Sequence, residues 1–175
     1  MEVDSRLIVA APVTDAPNDK QQLVPTVQAI APVVGSVETV LADSGFYSEE
    51  AVRQLEQDVQ GQPTGVTVYA AIDKRGHHRT VTDLQKKAEP ATPEPGASMS
   101  QVMKHRTATK AGRAKYKLRQ QTVEPVFGII KSAMGFRRFL MRGLEKVRME
   151  WQLVSVAYNL KRLHTLGAGL RLAAG

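Results

Sequence analysis

Two carboxylates in this chain stand where chemistry is commonly done. Asp43 closes the run VETVLA and opens the small-residue turn DSGFYS. A carboxylate at the carboxyl end of a strand, followed by a tight turn, is where α/β sheets present reacting groups, although an aspartate before Ser-Gly is also an everyday turn residue. Glu124 is the only acid between Glu94 and Glu145, in a stretch dense in bases. An acid at a helix start is favoured by the macrodipole alone. What lifts Glu124 above that is its company: Lys131 follows seven residues later, two helical turns on the same face, and Tyr116 and Arg119 form a one-turn pair upstream. An acid ringed by Arg, Lys and Tyr suits a site that binds a divalent metal and a phosphate together. Carboxylates supply hard oxygen ligands, and bases hold a nucleic-acid backbone around them.

Other reactive types are less organised. His77 and His78 lie in the basic turn KRGHHR with no clustered acid or cysteine and are expected to face solvent. His105 and His164 stand alone on basic segments. Met134, Met141 and Met149 are expected as core filler. The 175 residues contain no cysteine, which excludes disulfide scaffolds, thiolate zinc sites and a cysteine nucleophile, and is consistent with a reducing cytoplasm, the expected location.

The charge distribution names a class of partner. The net charge of +7 conceals a division: residues 1–60 hold 10 acids and 3 bases, residues 61–100 hold 4 and 5, and residues 101–175 hold 3 and 16, a net +13. Asymmetry of this size points to a polyanion, nucleic acid before membrane, because Tyr116, Phe127, Phe136, Phe139 and Trp151 are interleaved with the bases. The alternative is a merely solvated basic face. At 42% hydrophobic and 23% charged the chain has the composition of one soluble domain with a sizeable core. No stretch approaches the ~20 apolar residues of a membrane helix, and Glu2 and Asp4 do not fit a signal peptide, so neither a membrane nor an exported protein is expected.

The elements that must position these residues follow from pattern. Arg6 to Thr14, RLIVAAPVT, is apolar and β-branched and predicts a first strand. Asn18 offers a helix cap, with Leu23, Val27 and Ile30 at helical spacing up to Gly35 and Pro25 shortening or kinking the helix. Val37 to Ala42 predicts a second strand ending at Asp43. Ser48 can cap a short helix with Glu49 and Glu50 in its first turn and Val52 and Leu55 on its buried side. Val66 to Ile72 predicts a third strand, and strands separated by helices imply a parallel or mixed sheet. Residues 73–103 read as a polar, proline-rich linker or insertion, and 104–166 as a basic helical part. Within that part, Thr122 is expected to cap a helix that carries Pro125 in its first turn and runs to about Met134. Leu144 to Leu166 is expected as a long helix with Val147, Trp151, Val154 and Tyr158 on one stripe, closed by Gly167 and Gly169. Residues 167–175 read as a tail.

The segment GRAKYKLRQQTVEPVFGIIKSAMGFRRFLMRGLEKVRMEWQLVSVAYNLKRL resembles the C-terminal end of bacterial insertion-sequence transposases with a DDE catalytic domain. LIVAAPVTDAPNDKQQL and VLADSGFYSEE resemble the strand-and-helix blocks of the same family, so the likeness covers nearly all of the chain outside residues 73–100. The resemblance implies an α/β fold, a ribonuclease H-like mixed sheet followed by the helical basic region. It also implies three acids that hold two divalent ions, Mg2+ or Mn2+, for DNA cleavage and strand transfer.

On this resemblance Asp43 is the second acid and Glu124 the third, both catalytic and metal-binding. Tyr116, Arg119, Glu124 and Lys131 match a family signature in order, with four residues between Arg119 and Glu124 where the family has three. Tyr116, Arg119, Lys131, Arg137, Arg138 and Arg142 are the implied DNA-binding residues, the DNA being transposon ends and target, with homo-oligomer formation left open. The family's first acid lies upstream of a hairpin whose second strand resembles Arg6 to Thr14. Asp4 is accordingly expected as the hairpin-turn aspartate, and the chain as an N-terminally truncated remnant lacking the first strand and first acid. The competing readings are a non-catalytic basic DNA-binding protein and a helical interaction protein.

Overall fold

The computed structural model describes residues 1–72 and 89–167; the expected solvent-facing pair His77 and His78, most of the expected linker, and the tail beyond Gly167 lie outside them. The chain divides into two compact units. One comprises Met1–Pro17, Thr26–Gly35 and the chain from Arg119 on; the other comprises Asn18–Pro25 and Ser36–Leu118.

The second unit is built on a strand-helix-strand motif. β1 (Thr39–Ala42) and β2 (Thr67–Ala70) pair in parallel, Thr39 opposite Thr67 through Ala42 opposite Ala70, and α2 (Glu49–Glu56) connects them. As expected, the Ser48 hydroxyl caps α2 by accepting the Ala51 amide at 3.1 Å, and Val52 and Leu55 are buried with Ala51. A short helix, α1 (Leu23–Gln28), precedes them. It starts later than Asn18 because Pro25 lacks an amide hydrogen and is tolerated only in a first turn, and Asn18 instead accepts the Lys20 amide in a local turn at 3.2 Å.

The helix α3 (Met99–Ala108) begins inside the segment expected as linker. The run of prolines ends at Pro95, and a capping box then starts a helix: Ser98 Oγ accepts the Gln101 amide and Gln101 Oε1 accepts the Ser98 amide. Met103, fully buried, offers its sulfur to the Ala70 amide at 3.4 Å. The Arg106 guanidinium pairs with the Glu56 carboxylate and donates to the Val68 carbonyl at 2.6 Å, while Glu56 Oε1 accepts the Val68 amide at 2.7 Å. One ion pair thus ties α2, β2 and α3 together and leaves no charge unsatisfied.

Two expectations need correction. Arg6 to Thr14 forms no strand; among the described residues the only sheet is the pair β1-β2. Its backbone is answered by side chains of the long helix α5 (Leu144–Gly167). The Asn159 amide accepts from Ile8 N–H and donates to Ile8 C=O, both at 2.9 Å, which reproduces the bond pair of a neighbouring strand. Arg148 donates to the Val13 carbonyl at 2.9 Å and Arg162 to that of Ser5 at 2.7 Å. Nor does Thr122 cap a helix. It is buried in the interior of α4 (Lys110–Gly128), which passes uninterrupted through Thr122 and Pro125. The residues AKYKLRQQ ahead of it are nearly all good helix formers, and the Thr122 hydroxyl donates to the Arg119 carbonyl at 3.1 Å instead. A π turn, Ile129–Ala133, follows and ends at Met134.

The first unit's core is Val126, Ile130 and Tyr158, against which Met1, Ile8, Met134, Phe136, Trp151 and Val154 pack. Of the stripe expected on α5, Trp151, Val154 and Tyr158 belong to this core, while Val147 lies outside it. Of the three methionines expected as filler only Met134 packs there; Met141 and Met149 are about half exposed. Asp4 does sit in a tight turn, residues 3–5, closed by the Glu2 amide donating to the Leu7 carbonyl at 2.9 Å.

Candidate functional site

The second unit presents Asp43. It follows β1 directly, is exposed, and its Oδ1 accepts the Ser44 amide at 2.8 Å, capping the 3-10 turn Ser44–Phe46. The strand-end position expected from sequence is therefore real, and so is the ordinary turn role. Asp19, which the sequence did not single out, stands against the same turn: its Oδ2 lies 3.6 Å from where a β-carbon on Gly45 would be. Next in the chain, the Tyr47 hydroxyl is buried with no hydrogen-bond partner among the described residues. Burial, then the Glu49 carboxylate, raises its pKa above that of a free phenol, so it stays neutral through the physiological range. Tyr116 is half-buried on α4 within this unit.

The first unit presents Glu124. Here the buried side of this helix is Thr122 and Val126, continued by Ile130 in the π turn; Glu124, two residues from each of the first two, is turned outward and exposed. Arg119 is half-buried. Glu124 is five positions further along unbroken α-helix, with four residues between, so the two point about 140° apart around the axis. The extra residue noted between them is not absorbed by any bulge at that place, and Arg119 does not share Glu124's face. Lys131 is exposed but falls within the π turn, so its seven-residue spacing from Glu124 no longer equals two α-helical turns.

Beyond the π turn, Gly135 takes a positive φ of 72°, a conformation that side chains with a β-carbon resist, and the chain enters a loop bearing Arg137, Arg138 and Arg142. All three are exposed. The loop is fixed by a residue the sequence reading passed over: Glu150 on α5, 9% exposed, accepts the Leu140 amide at 2.9 Å and the Met141 amide at 3.1 Å.

Between loop and helices lies a cavity of about 320 Å³. Four aromatic side chains line it, together with Val13 and Ile130. Phe127 and Trp151 stack with centroids 5.8 Å apart and planes 7° from parallel, and Phe139 meets Trp151 edge-on at 6.3 Å and 76°. Phe136 completes the cluster, 5.4 Å from Phe139. Lys131, Arg137 and Arg138 stand at the same cavity. The sequence showed these aromatics interleaved with bases but not that four of them converge.

Asp43 and Glu124 belong to different units, and among the described residues no three metal-ligating side chains cluster. Nor is any described helix long and apolar enough to cross a membrane. A family model described as "Transposase DDE domain" matches residues 75–164, just over half of the chain. The matched stretch contains Tyr116, Arg119, Glu124, Lys131 and the three loop arginines but not Asp43. No curated protein and no solved structure matches the chain.

Proposed function

We propose, from the premise that this chain belongs to the transposase DDE-domain family, that it acts on DNA phosphodiesters, cleaving and transferring strands, with Asp43 and Glu124 as two of its metal-binding acids. The observation that carries this reading is the position of Glu124. It is an exposed, outward-turned carboxylate inside the matched stretch, followed by exposed Lys131, Arg137, Arg138 and Arg142.

The donor chemistry fits Mg2+ or Mn2+, since both acids offer hard oxygens to solvent. A divalent ion bound there supplies Lewis acidity toward a phosphoryl oxygen and acidifies water. Two carboxylates do not by themselves complete a two-ion site, and no reaction step is assigned through it. The chain's own contribution is to present one acid just after a strand and the other from the exposed side of a helix, and to neutralise the phosphates nearby with exposed bases.

A second reading, a non-catalytic DNA-binding protein, is favoured by the net +13 of residues 101–175. Metal binding separates the two. Titration of Mn2+ is expected to show binding at least about tenfold weaker in both Asp43→Asn and Glu124→Gln, the loss of one charged ligand being worth at least 1.4 kcal/mol. Unchanged Mn2+ affinity in both variants would sink the assignment and leave the electrostatic reading.

A further inference from the structure

We infer that the outward face of α5 packs antiparallel against the same face of a second copy of this chain, in a two-fold dimer that forms without DNA. The inference goes beyond the proposed function and does not depend on it.

α5 has two apolar faces. Trp151, Val154 and Tyr158 belong to the core of the first unit. Met149, Leu153, Val156, Leu160 and Leu163 lie on the opposite side of the helix axis and are 50–70% exposed. They are spaced by four, three, four and three residues, a repeat of about 3.5, which is the period of a seam along which one helix packs against another. Together with Leu166 beside them, these side chains expose on the order of 600 Å² of apolar surface, the upper end of what a soluble monomer leaves open. With the polar residues flanking the seam, that approaches the roughly 800 Å² a side buried in a stable interface. A seam of this kind is self-complementary, so a two-fold axis across it covers both copies at once and closes the assembly.

Charge selects the occupant. Although residues 101–175 carry a net +13, α5 has no charged residue from Trp151 to Leu160. The residues flanking the seam there are Gln152, Ala157 and Asn159. An acidic partner helix would find no cation to pair with along those ten residues, whereas a second copy meets no like charge. The ends of α5 set the direction. Lys161, Arg162 and His164 follow with no acid after Glu150, while the first two turns mix Glu145 and Glu150 with Lys146 and Arg148. A parallel pair would bring the two cationic ends together. An antiparallel pair sets each against the mixed end of the other and opposes the two macrodipoles. In that register Leu153 faces Leu163 of the partner subunit, and Val156 faces Leu160 of the partner subunit.

The full chain, freed of nucleic acid by nuclease and held at raised salt to screen its net charge of +7, is expected to sediment as a dimer that dissociates in about the micromolar range. Leu153→Glu combined with Leu160→Glu should raise the dissociation constant at least about a hundredfold while circular dichroism and the emission of the single tryptophan, Trp151, stay unchanged. Because the chain contains no cysteine, introduced thiols report the pairing itself, without relying on the charged double variant. A mixture of Leu153→Cys and Leu163→Cys chains is expected to form a mixed disulfide on oxidation, and neither variant alone. A chain still monomeric at about 100 μM, or one that pairs only once DNA is added, overturns the inference. So does a dimer that survives the double substitution, a mixture that yields no mixed disulfide, or either cysteine variant linking to itself.

Discussion

Glu150 is a buried acid whose neighbours are two backbone amides rather than a base. A carboxylate accepting such bonds strengthens each of them by its charge, and its loss strands the donors it leaves behind. Replacing it by alanine is therefore expected to cost about 2 kcal/mol of stability, measurable by urea unfolding, and to speed tryptic cleavage after Arg137 and Arg138. Unaltered cleavage would mean that the aromatic packing alone holds the loop. At the same scale, Glu124 differs from Glu150 in facing outward. The sequence marked Glu124 by its isolation among bases, but nothing local distinguishes Glu150 from an exposed helical glutamate. Its role depends on a loop folding back over ten positions, which periodicity does not encode.

The junction of α3 and α4 shows what an element can demand of one residue. A β-carbon on Gly112 would lie 1.7 Å from the Arg106 carbonyl and 2.9 Å from Thr109 Oγ1, so the two helices meet with no room for a methyl group. Gly112→Ala, ordinarily favourable in a helix, is here expected to destabilise by about 1–3 kcal/mol, the range for overpacking; a thermal melt unchanged or raised would refute the close approach. Elements with local determinants were legible in the sequence: the Ser48 cap, the two paired strands and the stripe of α5 all appear. Arg6 to Thr14 was misread because strand propensity describes a residue's fit to a pleated surface, not whether a neighbouring strand is there to pair. Asn159, 151 positions away, takes that place. Thr122 and Pro125 misled for a related reason: both are start signals taken singly, and the strong helix formers upstream override them. Of the candidate site, the strand-end position of Asp43 was legible; Glu124 was expected at a helix start and lies instead well inside α4, and the convergence of four aromatics needed the loop.

Over the whole molecule the charge is divided along the chain, with 16 bases after residue 100 against 3 before residue 61. If the basic third meets DNA, affinity must fall with salt by about 0.9 in log-log slope for each phosphate contact. Substituting Arg137, Arg138 and Arg142 together is expected to flatten that slope by up to three such increments, read by fluorescence anisotropy at several salt concentrations. An unchanged slope would reduce these arginines to a solvated surface. The docking of residues 5–13 on α5 adds a matter of timing. A chain made from its N-terminus at about 5–20 residues per second leaves RLIVAAPVT without its acceptor until Asn159 has emerged, on the order of ten seconds later. The residues of the second unit end at Leu118, so all of them have emerged before Asn159 does. For that interval the most apolar stretch near the start of the chain is bare, and the hazard of misassociation belongs to synthesis rather than to the finished fold.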